Sequence, residues 1–148
     1  MKKILAVVIV YYPDPELLRR NIAAFSDGVD HLLIWRNSPL EGDFGDAELL
    51  GDGSNRGIAQ ALNAAWRIAR EKNYDFLLTM DQDSLWSDFA AYRSLALSGN
   101  VPEGLWGPGI NDEEITEDWV PSDTLITSGM LIPLPVLEAI GGWNPDPT

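Results

Sequence analysis

Ile4-Leu5-Ala6-Val7-Val8-Ile9-Val10 is an unbroken apolar run with no polar position to define an outer face. Such a run predicts a central strand covered on both sides, because a half-exposed strand would alternate. Asp14 and Pro15 then supply an N-cap and a first-turn proline for a helix through about position 24. Residues 31–35 read as a second strand, stopped by Asn37-Ser38-Pro39. A polar, glycine-rich stretch follows. Ile58, Ala61, Leu62, Ala65, Ile68 and Ala69 form the buried stripe of a helix over about 57–72. Its entry, positions 51–57, is a tight loop at a helix N-terminus, a setting that suits an anion. Positions 76–80 give another apolar strand, which runs straight into Asp81. The remaining pattern predicts a helix over 87–97, a short strand near 105–107, an acidic loop over 111–118 and an apolar segment over 125–134. A helix over 135–140 follows, ended by Gly141-Gly142. Strands that alternate with helices predict an α/β sandwich with a mostly parallel central sheet.

The chain has 148 residues, enough for one domain that buries roughly two thirds of its unfolded surface. It has no cysteine, so a metal would be held by oxygen ligands or by His31, which favours magnesium or manganese over zinc. His31 lies early in its strand, remote from the acids at the strand tips, and reads as structural. No apolar stretch approaches the roughly 20 residues that span a bilayer, and Met1-Lys2-Lys3 leads into no cleavage site. The expected location is the cytoplasm, with membrane association of a full-length protein left open. The net charge of -13 argues against a nucleic-acid partner, which would need a basic face. Residues 1–72 carry a net charge of -1 and residues 73–148 carry -12. A bound cation would relieve part of that repulsion; a solvated acidic surface explains most of it.

Asp81 and Asp83, separated by one residue at the end of an apolar strand, are the pair with the clearest chemistry. Carboxylates so placed can chelate a hard divalent cation, and the cation can hold a diphosphate. Ligands of open α/β sheets bind at the carboxyl ends of strands, where this pair sits. In that role Asp83 binds the cation directly, while Asp81 also accepts a sugar or ribose hydroxyl or a metal-bound water. The alternative is that both acids cap the helix beginning near Ser87. Met80-Asp81-Gln82-Asp83-Ser84-Leu85 also fits the nucleophile loop of haloacid-dehalogenase-like phosphatases. Their chemistry needs a downstream lysine, and this chain has only Lys2, Lys3 and Lys72.

Five segments occur in order: Val7-Val8-Ile9-Val10-Tyr11-Tyr12-Pro13-Asp14, Leu33-Ile34-Trp35-Arg36-Asn37-Ser38, Asn55-Arg56-Gly57-Ile58-Ala59-Gln60-Ala61-Leu62-Asn63, Leu78-Thr79-Met80-Asp81-Gln82-Asp83-Ser84 and Thr127-Ser128-Gly129. Together they resemble the family 2 glycosyltransferases of the GT-A fold, closest to the rhamnosyltransferase-like members. The resemblance implies one GT-A domain, a Rossmann-like three-layer sandwich, that moves a sugar with inversion. The donor would be a nucleoside-diphosphate sugar, and the acceptor a saccharide or lipid-linked saccharide in polysaccharide or glycan synthesis. By the same resemblance Tyr11, Tyr12 and Pro13 line the nucleobase pocket; the other reading of the tyrosines is packing beneath the first helix. Arg36 stands where the family carries an acid that pairs with the base, and is left to contact a phosphate or point to solvent. Asn37 is a turn residue near the nucleotide. Asn55, Arg56 and Gly57 pack on the nucleotide, with Arg56 toward the phosphates, and Asn63 bonds either this loop or the helix surface. Asp81 and Asp83 bind magnesium or manganese. Thr127, Ser128 and Gly129 line the acceptor side, where Trp143 offers a sugar-stacking face or belongs to the core. The family's catalytic base lies beyond the position of Thr148, so the chain is expected to lack the C-terminal part of the domain. A non-catalytic nucleotide-sugar or glycan-binding module is the competing class.

Overall fold

The computed structural model describes residues 2–86, 88–98 and 129–143. In chain order the elements are β1 (Ile4–Val10), α1 (Pro15–Phe25), β2 (His31–Arg36), β3 (Glu48–Leu50), α2 (Ile58–Glu71), β4 (Phe76–Asp81), α3 (Phe89–Leu97), β5 (Met130–Pro133) and α4 (Leu134–Ile140). One sheet takes the strands in the order β3-β2-β1-β4-β5. All neighbours are parallel except β5, which runs antiparallel to β4 and pairs Met130 with Thr79 and Pro133 with Phe76. The expected mostly parallel α/β sandwich is the observed architecture.

The chain first lays β2 and β3 to one side of β1, then returns to place β4 on the other. Crossovers between parallel strands are right-handed, so connections running in opposite directions along the sheet put their helices on opposite faces. The packing agrees. Leu18, Ile22 and Phe25 of α1 join Ile4, Ala6, Val8, Leu78 and Phe89 on one face. Leu62, Ala65 and Ala69 of α2 join Leu5, Val7, Leu33, Leu77 and Leu137 on the other. Every residue of β1 is buried except half-buried Ile9, which accounts for the missing alternation in its sequence. The alanine stripe on α2 lets that helix lie close to the sheet.

The predicted helix starts hold to within a residue or two, and their caps are visible. Asp14 accepts from the backbone N–H of Glu16 (3.0 Å) and Leu17 (3.4 Å), with Pro15 in the first turn of α1. Asp88 caps α3 by accepting from Ala91 N at 3.0 Å. The cap of the third helix is therefore Asp88, and neither Asp81 nor Asp83. β3 lies inside the stretch expected to be only polar and glycine-rich. It has three residues and is exposed along most of its length, too short and too wet to leave a periodic signal. Among the described residues no helix is long and apolar enough to cross a membrane. The strand expected near 105–107, the acidic loop over 111–118 and the first part of the 125–134 segment lie outside the described residues.

Candidate functional site

The sheet changes direction between β1 and β4, and a cleft of about 410 Å³ opens beyond their carboxyl ends. That size matches a small-molecule site. Its lining comes from Ile9 and Tyr11 after β1, Asn37 after β2, Asn55 and Ile58 at the start of α2, and the run 79–83 closing β4. Leu62 backs it from the second turn of α2. The topology thus brings together Tyr11, Asn37, Asn55, Asp81 and Asp83, which come from four separate sequence segments.

Asp81 is the last ladder residue of β4, paired with Ile9, and both Asp81 and Asp83 expose their side chains. The strand tip is anchored from below. Asn21 on α1, fully buried, donates its amide to the Asp81 carbonyl at 2.6 Å. Its own carbonyl oxygen has no hydrogen-bond partner, a cost of about 1–3 kcal/mol carried directly under the acids. Two exposed carboxylates with no thiolate or imidazole beside them in the cleft lining fit a hard cation such as magnesium or manganese. Among the described residues no group of three or more acidic, histidine or cysteine side chains is gathered to hold a metal. A cation here would complete its shell with ligand oxygens and water, as magnesium commonly does.

Tyr11 and Tyr12 stand 53 % and 68 % exposed, with their rings edge to face at 4.8 Å. They are not packed beneath α1. Tyr12 adopts a left-handed backbone with φ of 44°, a conformation that costs a non-glycine residue and that recurs at functional sites. Two hydrogen bonds hold the turn. The N–H of Tyr12 donates to the buried Ser38 hydroxyl at 2.7 Å, and that of Tyr11 to Gln82 Oε1 at 2.7 Å. Pro13 follows at half exposure and leads into the cap of α1.

Arg36 is engaged by the neighbouring backbone. Its Nε donates to the Leu50 carbonyl at 3.2 Å and its Nη2 to the Gly51 carbonyl at 2.6 Å, closing the end of β2 against β3. An acid at this place would have no such donors, and the carbonyls explain why an arginine serves here. Gly51 meets the same residue from the other side. Its φ is 83°, and an added Cβ would lie 2.7 Å from the Arg36 carbonyl oxygen. Gly51→Ala is therefore expected to destabilise the protein by about 1–3 kcal/mol, read as a lower urea midpoint with unchanged slope.

Asn37 is buried and fully used. Its Oδ1 accepts from Trp35 Nε1 (3.0 Å) and Arg56 N (3.1 Å), and its Nδ2 donates to the Gly57 carbonyl (3.3 Å). It pins the loop before α2 to the end of β2. Asn55 Oδ1 accepts from Gly57 N, and α2 then begins without a side-chain cap. Arg56 Nη2 donates to Asp52 at 2.7 Å, and Ser54 donates to the same carboxylate from its N–H and its hydroxyl. These bonds, that of Arg56 first, hold the Asp52 carboxyl well below the usual carboxylate range. A lowered carboxyl adds order to this loop above the ordinary carboxylate range and loses it as the pH falls. Arg56 and Asp52 are both about half exposed, so the pair is open to competition from a bound anion.

The remaining expected residues lie elsewhere. Thr127 and Ser128 are outside the described residues. Gly129 is buried beside β4; its N–H donates to the Thr79 carbonyl, and its carbonyl accepts from the Tyr92 hydroxyl, whose pKa burial pushes up. Trp143 packs on the α2 face of the core, and Asn63 clamps its backbone with two bonds of 2.7 and 2.9 Å. Asn63 thus serves the Gly141-Gly142-Trp143 turn and not the loop before α2. His31 pairs with Glu48 at 2.8 Å, bridging β2 and β3. Lys3 lies at the start of the sheet and Lys72 at the far end of α2, so neither reaches the acid tip as phosphatase chemistry would require. Ile58, expected in the buried stripe of α2, is instead 59 % exposed at the cleft, and Gln82 was not singled out from sequence. An exposed isoleucine in the first turn of an otherwise amphipathic helix is the signal that marks Ile58.

No family model matches the chain, and no curated protein does. Among solved structures it is similar to the mannosyltransferase PcManGT from Pyrobaculum calidifontis in complex with GDP-Man and Mn2+. The TM-score is 0.73 at 16 % identity, covering 97 % of this chain and 48 % of that one. The chain spans about half the length of that protein. The likeness is one of fold: a Rossmann-like α/β sandwich with helices on both faces of a mostly parallel sheet.

Proposed function

We propose that this chain binds a nucleoside-diphosphate sugar together with magnesium or manganese and transfers the sugar, with inversion, to a saccharide or lipid-linked saccharide. The observation that carries the reading is the cleft at the switch point, where exposed Tyr11, buried Asn37 and the Asp81–Asp83 tip share one hollow. Tyr11 offers a flat apolar face to a base, with Ile58 as a second apolar wall. Asn55 and Arg56 lie toward the phosphates, and Asp83 with Asp81 holds the cation. When bound, the cation neutralises charge on the departing diphosphate. The fold and the ordered motifs favour a family 2, rhamnosyltransferase-like member acting in polysaccharide or glycan synthesis.

A second reading has a specific observation behind it. Among the described residues lining the cleft, Asp81 and Asp83 are the only acids, so both are committed to the cation and none remains to take the acceptor proton. That favours a donor-binding module without turnover. A thermal-shift screen of UDP, GDP and dTDP, with and without manganese, is expected to raise Tm for at least one diphosphate only when the metal is present. No shift with any of the three overturns both readings. Donor hydrolysis or transfer by a binding-competent chain then separates enzyme from module.

A further inference from the structure

Gln82 separates the two acids of the strand tip, and its side chain is committed to the neighbouring strand. Its Oε1 accepts from Tyr11 N at 2.7 Å, and its Nε2 donates to Tyr11 O at 3.2 Å. The ladder between β1 and β4 ends one step earlier, at Ile9 and Asp81. The amide therefore adds a further pair of bonds past the last strand residue, doing with a side chain what a backbone does within the sheet. Without it, Tyr11 would begin a solvent-exposed turn whose next residue is held left-handed by Ser38 alone. The other end of the link is firm, since Asn21 grips the Asp81 carbonyl from the core.

We propose that Gln82 is a positioning residue that fixes the Tyr11 ring relative to Asp81 and Asp83, making the aromatic and acidic sides of the cleft one rigid unit. The assignment rests on the donor-site reading above, in which the ring meets the base and the acids meet the metal-bound diphosphate. Base and diphosphate stand at a fixed spacing in a nucleotide, so a site that takes both gains from holding its two sides at a fixed spacing. A middle residue that only filled space between two acids would need no amide.

A double-mutant cycle tests this. Gln82→Ala, Tyr11→Ala and the double variant are titrated with GDP and UDP in manganese by calorimetry. Gln82→Ala alone is expected to weaken binding about tenfold, the worth of two lost positioning bonds. In the Tyr11→Ala background the same change costs less than about twofold, because no ring remains to be placed. Losses that simply add overturn the proposal. Amide exchange on the ligand-free proteins gives a second readout. The Tyr11 amide is expected to lose protection in Gln82→Ala while those of Leu5 and Leu77, inside the sheet, keep theirs; retained protection at Tyr11 overturns the proposal. Failure of the wild-type chain to bind either diphosphate would sink the donor-site reading, and the exchange result would still decide whether Gln82 holds Tyr11.

Discussion

Asp83→Ala is expected to abolish the manganese-dependent part of nucleoside-diphosphate binding, a loss on the order of a hundredfold. The side chain is exposed at the tip beyond β4, where it supports neither the core nor a helix cap, since Asp88 performs the capping of α3. Stability should therefore stay close to wild type while binding collapses. That separation distinguishes a ligating carboxylate from a structural one. Calorimetry with UDP, GDP and dTDP, with and without manganese, measures it. Unchanged affinity in manganese would remove the acid pair from the site.

Leu78→Ala is expected to produce the opposite split, a loss of about 2–5 kcal/mol in unfolding free energy with ligand chemistry intact in the folded fraction. Leu78 is fully buried in the middle of β4, in the cluster formed with α1 and α3 and flanked by ladder partners Ala6 and Leu131. Truncation leaves a cavity that close-packed neighbours on a rigid sheet fill poorly. Urea denaturation gives the loss directly. A cost below about 1 kcal/mol would mean that this face of the sheet is loosely packed.

The elements that could be read from sequence were those whose burial imposes a period or a run. β1 is apolar throughout, and β4 is buried up to Met80 with Thr79 its one polar residue before the tip, because helices cover both faces. The stripe of α2 is legible because Ala61, Leu62, Ala65 and Ala69 are buried against the sheet. β3 has no such requirement and left no trace. At the site, the acids of β4 and the aromatic turn after β1 could be found because strand ends are where chemistry collects in this architecture. The partners of Arg36 could not, since two backbone carbonyls on an unrecognised strand have no sequence signature. Gln82 was hidden for a similar reason. Its role depends on β1 and β4 being neighbours in register, and registry between strands whose starts lie 72 residues apart is a property of the assembled sheet.

In the order β3-β2-β1-β4-β5 the neighbours β1 and β4, which flank the hollow, are built by different halves of the chain. α1 and α3 cover one face of the sheet, α2 and α4 the other, and the hollow is lined by the strand ends, the turns that leave them and the start of α2. Such a division of labour lets the turns be rewritten for new cargo while the layered body beneath continues to supply the framework.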